Sequence, residues 1–436
     1  MNAMFRSLSS TNYRIWFAGA LISNVGTWMQ RTAQDWIVLT QLTHNDAFAV
    51  GIVMALQFGP QLLLLPITGL AADHFDRRKL LMATQGAMGL LGLGLGILTV
   101  TGLVQLWHVY LFALLLGVVA AFDSPARQTF VGDLVGTKML GNAVALNSAS
   151  FNAARLIGPA VAGLLTAAVG AGWVFLINAI SFAAVLISLN FMHREQLHVM
   201  KHPPRARGNL VEGFRYVRHR PDLITIFIMV FLIGTFGLNF PIFVASMAST
   251  VFHKGAGEYG ILSSVMAVGS VVGALLAARR ETPRATLLSV AAVIFAIGSI
   301  GAAAAPSYWV FGATLAVVGV ASQTFNTTAN GVVQLSTDPA VRGRVMAIYM
   351  AIFMGGTPIG APIVGWVADA FGPRWALVVG GASGIAAAAV GVYYMTRYRG
   401  MRLAITERRL RVTFRHPSRT LAITEMEGDE AAAQKA

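Results

Sequence analysis

An arginine and an aspartate stand four residues apart in an otherwise apolar stretch near the start of the chain. An α-helix places Arg31 and Asp35 on one face, one turn apart. A charged side chain at the centre of a bilayer costs about 2.5–3.5 kcal/mol on insertion scales, so such residues are usually functional. Two interpretations are open. Asp35 takes up and releases a proton with a pKa that depends on whether Arg31 is near, or the two side chains form a permanent ion pair that ties their helix to its neighbours.

Other polar residues share these apolar stretches. Arg155 could hold an anionic substrate, bond to Asp123 or neutralise a cluster of carbonyl groups. With Arg31 and Asp35 it completes the candidate residues for proton coupling. A later stretch carries polar residues on one helical face, which either lines a cavity, as we favour, or bonds neighbouring helices. The candidate cavity residues are Asn24, Trp28, Gln34, Asn239, Gln323, Asn326 and Asn330.

Several kinds of chemistry are excluded by what the sequence lacks. It contains no cysteine, which rules out disulfides, iron–sulfur clusters and thiolate zinc sites, and its nine histidines form no metal-spaced pair within an apolar stretch. No phosphate-binding loop of the Gly-x4-Gly-Lys-Ser/Thr type is present, so we expect no use of ATP. We therefore expect neither a metal nor a cofactor.

The elements that position these residues are membrane-spanning helices. The 436 residues are 56% hydrophobic and 11% charged, with a mean hydropathy of +0.65, which leaves too little polar surface for a soluble enzyme. A helix needs about 20 apolar residues to cross a bilayer. Twelve spans are predicted, at 13–39, 48–72, 80–101, 106–125, 145–169, 172–192, 223–251, 258–278, 285–305, 308–334, 345–370 and 375–396.

Basic residues lie almost entirely on one side of the predicted spans. All but four of the 32 lysines and arginines fall in the termini and in the connections that share their side; Lys254 and Arg374 lie opposite, and Arg31 and Arg155 lie within spans. Cytoplasmic loops carry such an excess, so both termini are predicted to be cytoplasmic. The net charge of +14 then reflects topology, and we expect no nucleic-acid partner.

The chain repeats itself at an offset of 202 residues. Trp107 corresponds to Trp309 and Trp173 to Trp375, although the chain has only eight tryptophans. The repeat predicts two parallel six-helix halves, with a substrate path between them near the bilayer midplane. We expect an N-terminal half over 1–192, a basic cytoplasmic linker over 193–221, a C-terminal half over 222–396 and a disordered cytoplasmic tail over 397–436.

The connection between the second and third spans carries the string Gly69-Leu-Ala-Ala-Asp-His-Phe-Asp-Arg-Arg-Lys79. It resembles the signature loop of the major facilitator superfamily, Gly-x3-Asp-Arg-x-Gly-Arg-Arg/Lys, with His74 and Asp76 in place of the usual arginine and glycine. The resemblance covers the whole chain, whose twelve spans in two parallel halves around a basic loop follow that family's plan. The residues that it implies for a gating latch are Gly69, Asp73, Arg77 and Asp123.

Two further resemblances narrow the branch. The fifth span contains Gly158, Pro159 and Gly163 in a string that resembles the glycine–proline motif of the family's antiporters. An ordinary transmembrane helix with a proline kink could have the same residues. Strings at 12–14, 210–221 and 342–346 are similar to those of the bacterial enterobactin-exporter and macrolide-efflux group.

The resemblance implies a transporter and not an enzyme. It would be a multi-pass monomer of the bacterial cytoplasmic membrane, in contact with membrane lipid, that exports small amphipathic molecules such as drugs or siderophores in exchange for protons. Two alternatives remain: a proton-coupled or facilitative importer, and a non-transporting sensor or scaffold that keeps the same fold.

Overall fold

The computed structural model describes residues 3–65, 67–68, 71, 75–136, 139–198, 210–278, 285–399, 402–406 and 409–413, and it is almost entirely helical. The first half contains six helices: α1 (Thr11–Ile37), α2 (Ala47–Leu63), α3 (Arg77–Val100), α4 (Leu106–Val135), α5 (Leu140–Val169) and α6 (Ala171–Asn190). A π-helical turn, Val38–Leu42, extends α1, and short 3-10 helices cover Ala3–Ser9 and Arg194–Gln196.

The second half follows a short helix, α7 (Leu210–Arg218). Its six helices are α8 (Pro221–Val251), α9 (Ala256–Ala278), α10 (Ala285–Ala303), α11 (Tyr308–Ser336), α12 (Arg342–Phe371) and α13 (Pro373–Arg399). Helix α8 is discontinuous, because π-helical turns at Ile233–Gly237 and Met247–Val251 flank the short α-helical piece Phe240–Ser246.

A β-hairpin follows α13 in the tail that we expected to be disordered. Strands β1 (Arg402–Thr406) and β2 (Arg409–Thr413) are antiparallel, with Leu403 opposite Val412 and Ile405 opposite Leu410. Apolar and polar residues alternate along β2, from Arg409 to Thr413, which is the period of a strand and not of a helix. The rest of the tail lies outside the described residues.

Ten helices of the described chain, α3–α6 and α8–α13, are long and apolar enough to cross a membrane. The predicted spans 13–39 and 48–72 are not among them. Helix α1 is long enough at 27 residues, but Arg31, Asp35 and several amides make it more polar. Helix α2 has 17 residues, Ala47–Leu63. Length and composition therefore support ten of the twelve predicted spans.

Caps fix where several helices begin and end. Four N-cap side chains each accept a hydrogen bond from a backbone N–H group in the first turn of the helix that follows. They belong to Ser10, Asp46, Asp76 and Ser307. Glycines end helices α5 and α12: Gly170 has φ +91° and Gly372 has φ +99°. Residues with a side chain rarely adopt this backbone conformation, which explains why both positions of the repeat keep glycine.

The two halves pack their helices in the same way. In the first half α3 lies against α4 and α6, α2 against α4, and α1 against α5 and α6. The second half repeats these contacts, since α10 lies against α11 and α13, α9 against α11, and α8 against α12 and α13. Between the halves α2 meets α12 and α5 meets α9, which are equivalent contacts under the repeat. The molecule thus has a pseudo-two-fold axis.

Four tryptophans mark one end of the bundle. Trp107, Trp173, Trp309 and Trp375 are each more than half exposed, and each lies where two helices join. Tryptophan is enriched where a helix crosses from lipid to water. We call this the tryptophan end; it also carries the α1–α2 and α8–α9 connections. The opposite end, which carries α7, is the linker end.

Candidate functional site

A cavity of about 190 Å³ lies between the two halves. Helices α1, α2 and α5 of the first half and α8, α9 and α12 of the second half contribute its walls. Most of its lining is apolar or aromatic, including Phe58, Phe240 and Tyr259, and a few polar groups point into it. An apolar pocket with a small number of placed polar groups is the usual form of a small-molecule site.

Three charged residues line this cavity: Arg31, Asp35 and Arg155. Helix α1 brings Trp28, Arg31 and Asp35 to the cavity because the spacings of three and four residues keep them on one face. Arg155 comes from α5, one turn before Pro159, which also lines the wall. With Asp35 ionised, the formal charge of the site is positive, since two guanidinium groups face one carboxylate.

Both guanidinium groups lie over one indole ring. The Cζ atom of Arg31 is 5.3 Å from the ring centroid of Trp28 and 5.2 Å from that of Phe58, and the Cζ atom of Arg155 is 5.7 Å from that of Trp28. A cation within about 6 Å of an aromatic face is attracted by the ring. The rings therefore hold the two charges in place without neutralising them.

Arg31 and Asp35 are close along α1 but not paired. None of the ion pairs between described side chains joins them. Asp35 is buried, and the buried Nε atom of Arg31 has no hydrogen-bond partner. The Nε2 atom of Gln57, across the cavity on α2, is also buried without a partner. These donors are available to a bound molecule.

Glycine–proline residues of α5 bring two other helices close. A Cβ atom on Gly158 would lie 2.5 Å from the Cβ atom of Trp28, and one on Gly163 would lie 2.5 Å from the carbonyl oxygen of Ala256 on α9. Gly158 therefore packs α5 against the cavity face of α1, and Gly163 packs α5 against the other half. The segment positions the cavity wall but, apart from Pro159, does not line it.

The remaining cavity candidates lie elsewhere. Asn24 is farther along α1 towards the linker end, where it contacts Ser150 and Arg127. Gln34 is buried on another face of α1, and its Nε2 atom has no partner. Asn239 is fully buried at the break in α8; its Nδ2 atom donates to the carbonyl oxygen of Thr235 at 2.7 Å, while its neighbours Leu238 and Phe240 line the cavity.

The polar face of α11 does not line this cavity either. Gln323 donates to Thr327 at 3.2 Å, and Gln334 donates to Asn330 at 2.8 Å. Asn326 lies on the same face, which is partly exposed and runs from the middle of α11 towards the linker end. These side chains bond to one another along the helix and remain accessible on the linker side.

Latch residues pair differently from what the resemblance implies. Gly69 and Asp73 lie outside the described residues. The Nη1 atom of Arg77 donates to both carboxylate oxygens of Asp133, at 2.8 and 2.7 Å, and not to Asp123. Helix α4 continues through Pro125 to Val135, beyond the predicted end at 125, so the acid at the helix end is Asp133. Attention to where α4 ends would have identified it.

Asp123 belongs to a separate buried cluster. It accepts hydrogen bonds from Thr84 at 2.8 Å and Gln85 at 2.7 Å on α3, and its carboxylate pairs with Arg127 at 3.1 Å on its own helix. Arg127 also lies 5.6 Å over the ring of Trp16. This cluster joins α3, α4 and α1 within the first half, away from the cavity.

At the tryptophan end the halves are in direct contact. The Oγ atom of Ser249 donates to Asn45 at 2.6 Å, and the rings of Trp36 and Tyr259 stack with centroids 5.4 Å apart. At the level of the cavity, Ser264 of α9 also donates to the carbonyl oxygen of Leu156 on α5 at 2.8 Å. The cavity is thus closed on this side. Among the described residues, no group of three or more acidic or histidine side chains is placed to hold a metal ion.

Known proteins resemble this chain along most of its length. Residues 2–423 match the family model described as "Transmembrane secretion effector". The staphyloferrin A transporter of Staphylococcus aureus is 27% identical over 363 residues, which is 82% of this chain and 90% of that protein. The enterobactin exporter EntS of Shigella boydii is 25% identical over 334 residues, 75% of this chain and 79% of that protein.

A drug pump and a solved structure are also similar. The multidrug efflux pump Tap of Mycolicibacterium fortuitum is 27% identical over 374 residues, 81% of this chain and 88% of that protein. The crystal structure of a bacterial homologue of the human lysosomal transporter Spinster, inward-facing and occupied, superposes with a TM-score of 0.68 at 17% identity and covers 90% of this chain and 97% of that chain. At this identity the likeness shows the fold alone.

Proposed function

The chain belongs to the transmembrane secretion effector family of major facilitator transporters, and from this premise we propose that it exports small amphipathic molecules in exchange for protons. It is a transporter and not an enzyme, a multi-pass protein of the bacterial inner membrane, and it lies in the branch that exports siderophores and drugs. The exchange, its direction and its substrate are our proposal.

One observation carries the proposal: a cavity at the interface of two pseudo-symmetric halves, closed at the tryptophan end, contains a buried acid that no ion pair neutralises. In our scheme α1 and α2 also span the membrane, which gives twelve spans with both termini and the linker end in the cytoplasm. The halves rock about the cavity and expose it to each side in turn. The described conformation, closed at the tryptophan end, is then the one that faces inwards.

Asp35 is the proposed proton carrier. It takes a proton while the tryptophan end is open and releases it inwards when substrate binds. Arg31 and Arg155, held on Trp28, favour release because they stabilise the ionised carboxylate. The polar face of α11, with Gln323, forms the inner approach to the cavity. The latch that the resemblance implies at the linker end, with Gly69, Asp73 and Arg77, includes Asp133 in our scheme in place of Asp123, and it holds one of the two closed states.

Exchange requires the proton and the substrate to exclude each other from the cavity. Protonation of Asp35 adds one positive charge to a site that is already positive, so it repels a cationic group and attracts an anionic one. An exchanged substrate therefore presents a hydrogen-bond donor or a positive group to Asp35. A substrate that presents an anionic group to the arginines would bind together with the proton, which is the behaviour of the importer alternative.

Substrate binding at different pH values separates these mechanisms. For exchange, we expect the affinity of the purified protein to fall as the pH is lowered, because the proton competes at Asp35, and the Asp35→Asn variant to show no such dependence. Glu258→Gln, which changes an acid at the start of α9 outside the cavity, is the matched control and should behave like the wild type. An affinity that rises at low pH would support the importer.

Transport itself is tested in everted membrane vesicles in which this protein is the only transporter. A dye reports the imposed pH gradient while compounds are added one at a time. Siderophores and amphipathic drugs come first, since relatives carry those names. Collapse of the gradient by a compound, lost in Asp35→Asn and kept in Glu258→Gln, is the expected result. If the two variants respond alike, Asp35 is not the carrier; if no compound acts, the non-transporting scaffold is favoured.

A further inference from the structure

A carboxylate of the second half caps a helix of the first half. The two carboxylate oxygens of Asp369, in the last turn of α12, accept hydrogen bonds from the backbone N–H groups of Ala47 and Phe48, each at 2.8 Å. These are the first two residues of α2. The contact lies at the tryptophan end and crosses the interface between the halves.

Helix α2 has a second carboxylate at the same end. Asp46, its N-cap, accepts a hydrogen bond from the N–H group of Ala49 at 2.9 Å. The first four N–H groups of a helix have no partner within it and attract negative charge. The two acids share these groups between them: Asp46 serves one from the same half, and Asp369 serves two from the opposite half. All three of these N–H groups therefore have a side-chain acceptor only while the two halves are in contact at this end.

The backbones of α2 and α12 touch at this point. A Cβ atom on Gly365, one turn before Asp369, would lie 2.5 Å from the carbonyl oxygen of Ala47, and one on Gly51 would lie 2.5 Å from that of Ala361. No side chain separates the two helices here. A small rotation of one half against the other would move Asp369 away from the N–H groups that it caps.

We propose that Asp369 is the gating residue of the tryptophan end: its cap across the interface stabilises the conformation in which this end is closed. The inference adds to the proposed function and rests on its alternating access. The effect of the cap on the conformation can be measured without any substrate. Opening of the tryptophan end breaks two hydrogen bonds to a carboxylate and leaves the first turn of α2 with Asp46 alone.

Distances across the two ends test the proposal. The chain has no cysteine, so pairs of introduced cysteines can be spin-labelled selectively in the reconstituted full chain. Leu103→Cys with Ala304→Cys reports on the tryptophan end, and Glu195→Cys with Ala340→Cys reports on the linker end; all four positions are exposed. The gating residue itself is changed by Asp369→Ala and Asp369→Asn.

In Asp369→Ala, the fraction of molecules with a long distance at the tryptophan end should rise about two- to fivefold, the factor that loss of a carboxylate at a helix N-terminus gives. The linker-end distance should shorten in the same molecules. Asp369→Asn keeps one acceptor oxygen without the charge, so its fraction of long distances should lie between those of the wild type and Asp369→Ala. Glu258→Ala is the matched control, because it removes a carboxylate that accepts the N–H group of Gly255 at the start of α9, at the same end of the molecule but within one half, and it should leave both distances unchanged.

Unchanged distances in both Asp369 variants would overturn the proposal, and so would an equal response of Glu258→Ala, which would mean that the loss of any carboxylate cap at this end loosens the contact between the halves. If Asp369→Ala fails to fold, Asp369→Asn decides alone. The distances also separate this inference from the proposed function. If the distances change in the Asp369 variants but no compound is transported, the gating role of Asp369 is supported and the exporter proposal is not. If protons are exchanged for a compound but the distances do not change, the exporter proposal is supported and the gating role is not.

Discussion

At the scale of single residues, Trp28 organises the charges of the cavity. One indole ring lies beneath the guanidinium groups of both Arg31 and Arg155, and Phe58 adds a second ring at Arg31. A guanidinium is planar and stacks on such rings, whereas the ammonium of lysine is a compact and strongly hydrated charge. The site therefore depends on the shape of Arg31 as well as on its charge.

Arg31→Lys tests this dependence. The variant keeps the charge but loses the stacked plane, so we expect substrate affinity to fall about two- to tenfold, in line with the strength of a partly buried cation–π contact. Direct binding measurements check it. Arg397→Lys, at an exposed position of α13, is the control and should bind like the wild type. Equal affinity in both variants would show that only the charge matters.

The Arg77–Asp133 pair is expected to stabilise the fold more than a surface pair. Its side chains are only 12% and 8% exposed, whereas in the pair of Arg344 with Glu212 the acid is 56% exposed. A double-mutant cycle with Arg77→Gln and Asp133→Asn should give a coupling energy of about 1–3 kcal/mol. The same cycle on Arg344 and Glu212 should give about 0–1 kcal/mol. Unfolding midpoints of all variants in one detergent provide the measurement, and equal couplings would contradict it.

Charged residues of the site could be predicted from the sequence, and amides could not. Arg31, Asp35 and Arg155 line the cavity because a buried charge has few other places to lie in a membrane protein. An amide can bond to the backbone or to another amide, as Asn239 and Gln323 do. Polarity within a span therefore indicates that a side chain avoids lipid, but not which neighbour it finds.

At the scale of helices, Pro125 explains why the predicted end of α4, at residue 125, was wrong. A proline at the end of an apolar stretch, here with Arg127 two residues later, predicts a helix end. In the structure the helix runs ten residues farther, to Val135, and ends at Gly136, whose φ is +66°. Proline is tolerated inside membrane helices because neighbouring groups satisfy the freed carbonyl. The longer helix places Asp133 at its end, and Arg77 pairs with Asp133 and not with Asp123.

Substitutions along α5 should have very different effects on stability. Gly158→Ala places a methyl group against Trp28, and Gly163→Ala places one against α9; each should lower the free energy of unfolding by about 1–3 kcal/mol through overpacking. Gly141→Ala, on the same helix with no atom within 4 Å of the added Cβ, should be neutral or stabilising by about 0.4–1 kcal/mol. Thermal unfolding in detergent measures all three, and similar midpoints would contradict the packing described for α5.

At the scale of the whole molecule, hydropathy and the internal repeat predict the architecture well. The offset that matches Trp107 with Trp309 also relates the helix contacts of the two halves. The conformation was not predictable, because hydropathy and repeats are the same whichever end is closed. That choice depends on a few contacts between the halves, such as Asn45 with Ser249, which no periodicity encodes.

The orientation in the membrane remains a prediction and can be measured. The distribution of basic residues places the linker end in the cytoplasm. In intact cells, a cysteine introduced for Lys254 at the tryptophan end should react with a membrane-impermeant maleimide, and one introduced for Glu195 at the linker end should react only after the membrane is broken. The unmodified chain, with no cysteine, gives the background. The reverse labelling would invert the proposed direction of transport.

The discontinuity of α8 makes the two halves mechanically unequal. Its counterpart in the repeat, α1, is an unbroken α-helix over 27 residues with one π-helical turn at its end, whereas α8 consists of two α-helical pieces, each followed by a π-helical turn. A π-helical turn interrupts the regular α-helical hydrogen bonds, occurs frequently at functional sites and is a place where helices kink. When the halves rock, we expect the first to move as a stiff lever and the second to bend at α8. The cavity wall that deforms is then the one built by Leu238 and Phe240, while the wall that holds the charges keeps its shape.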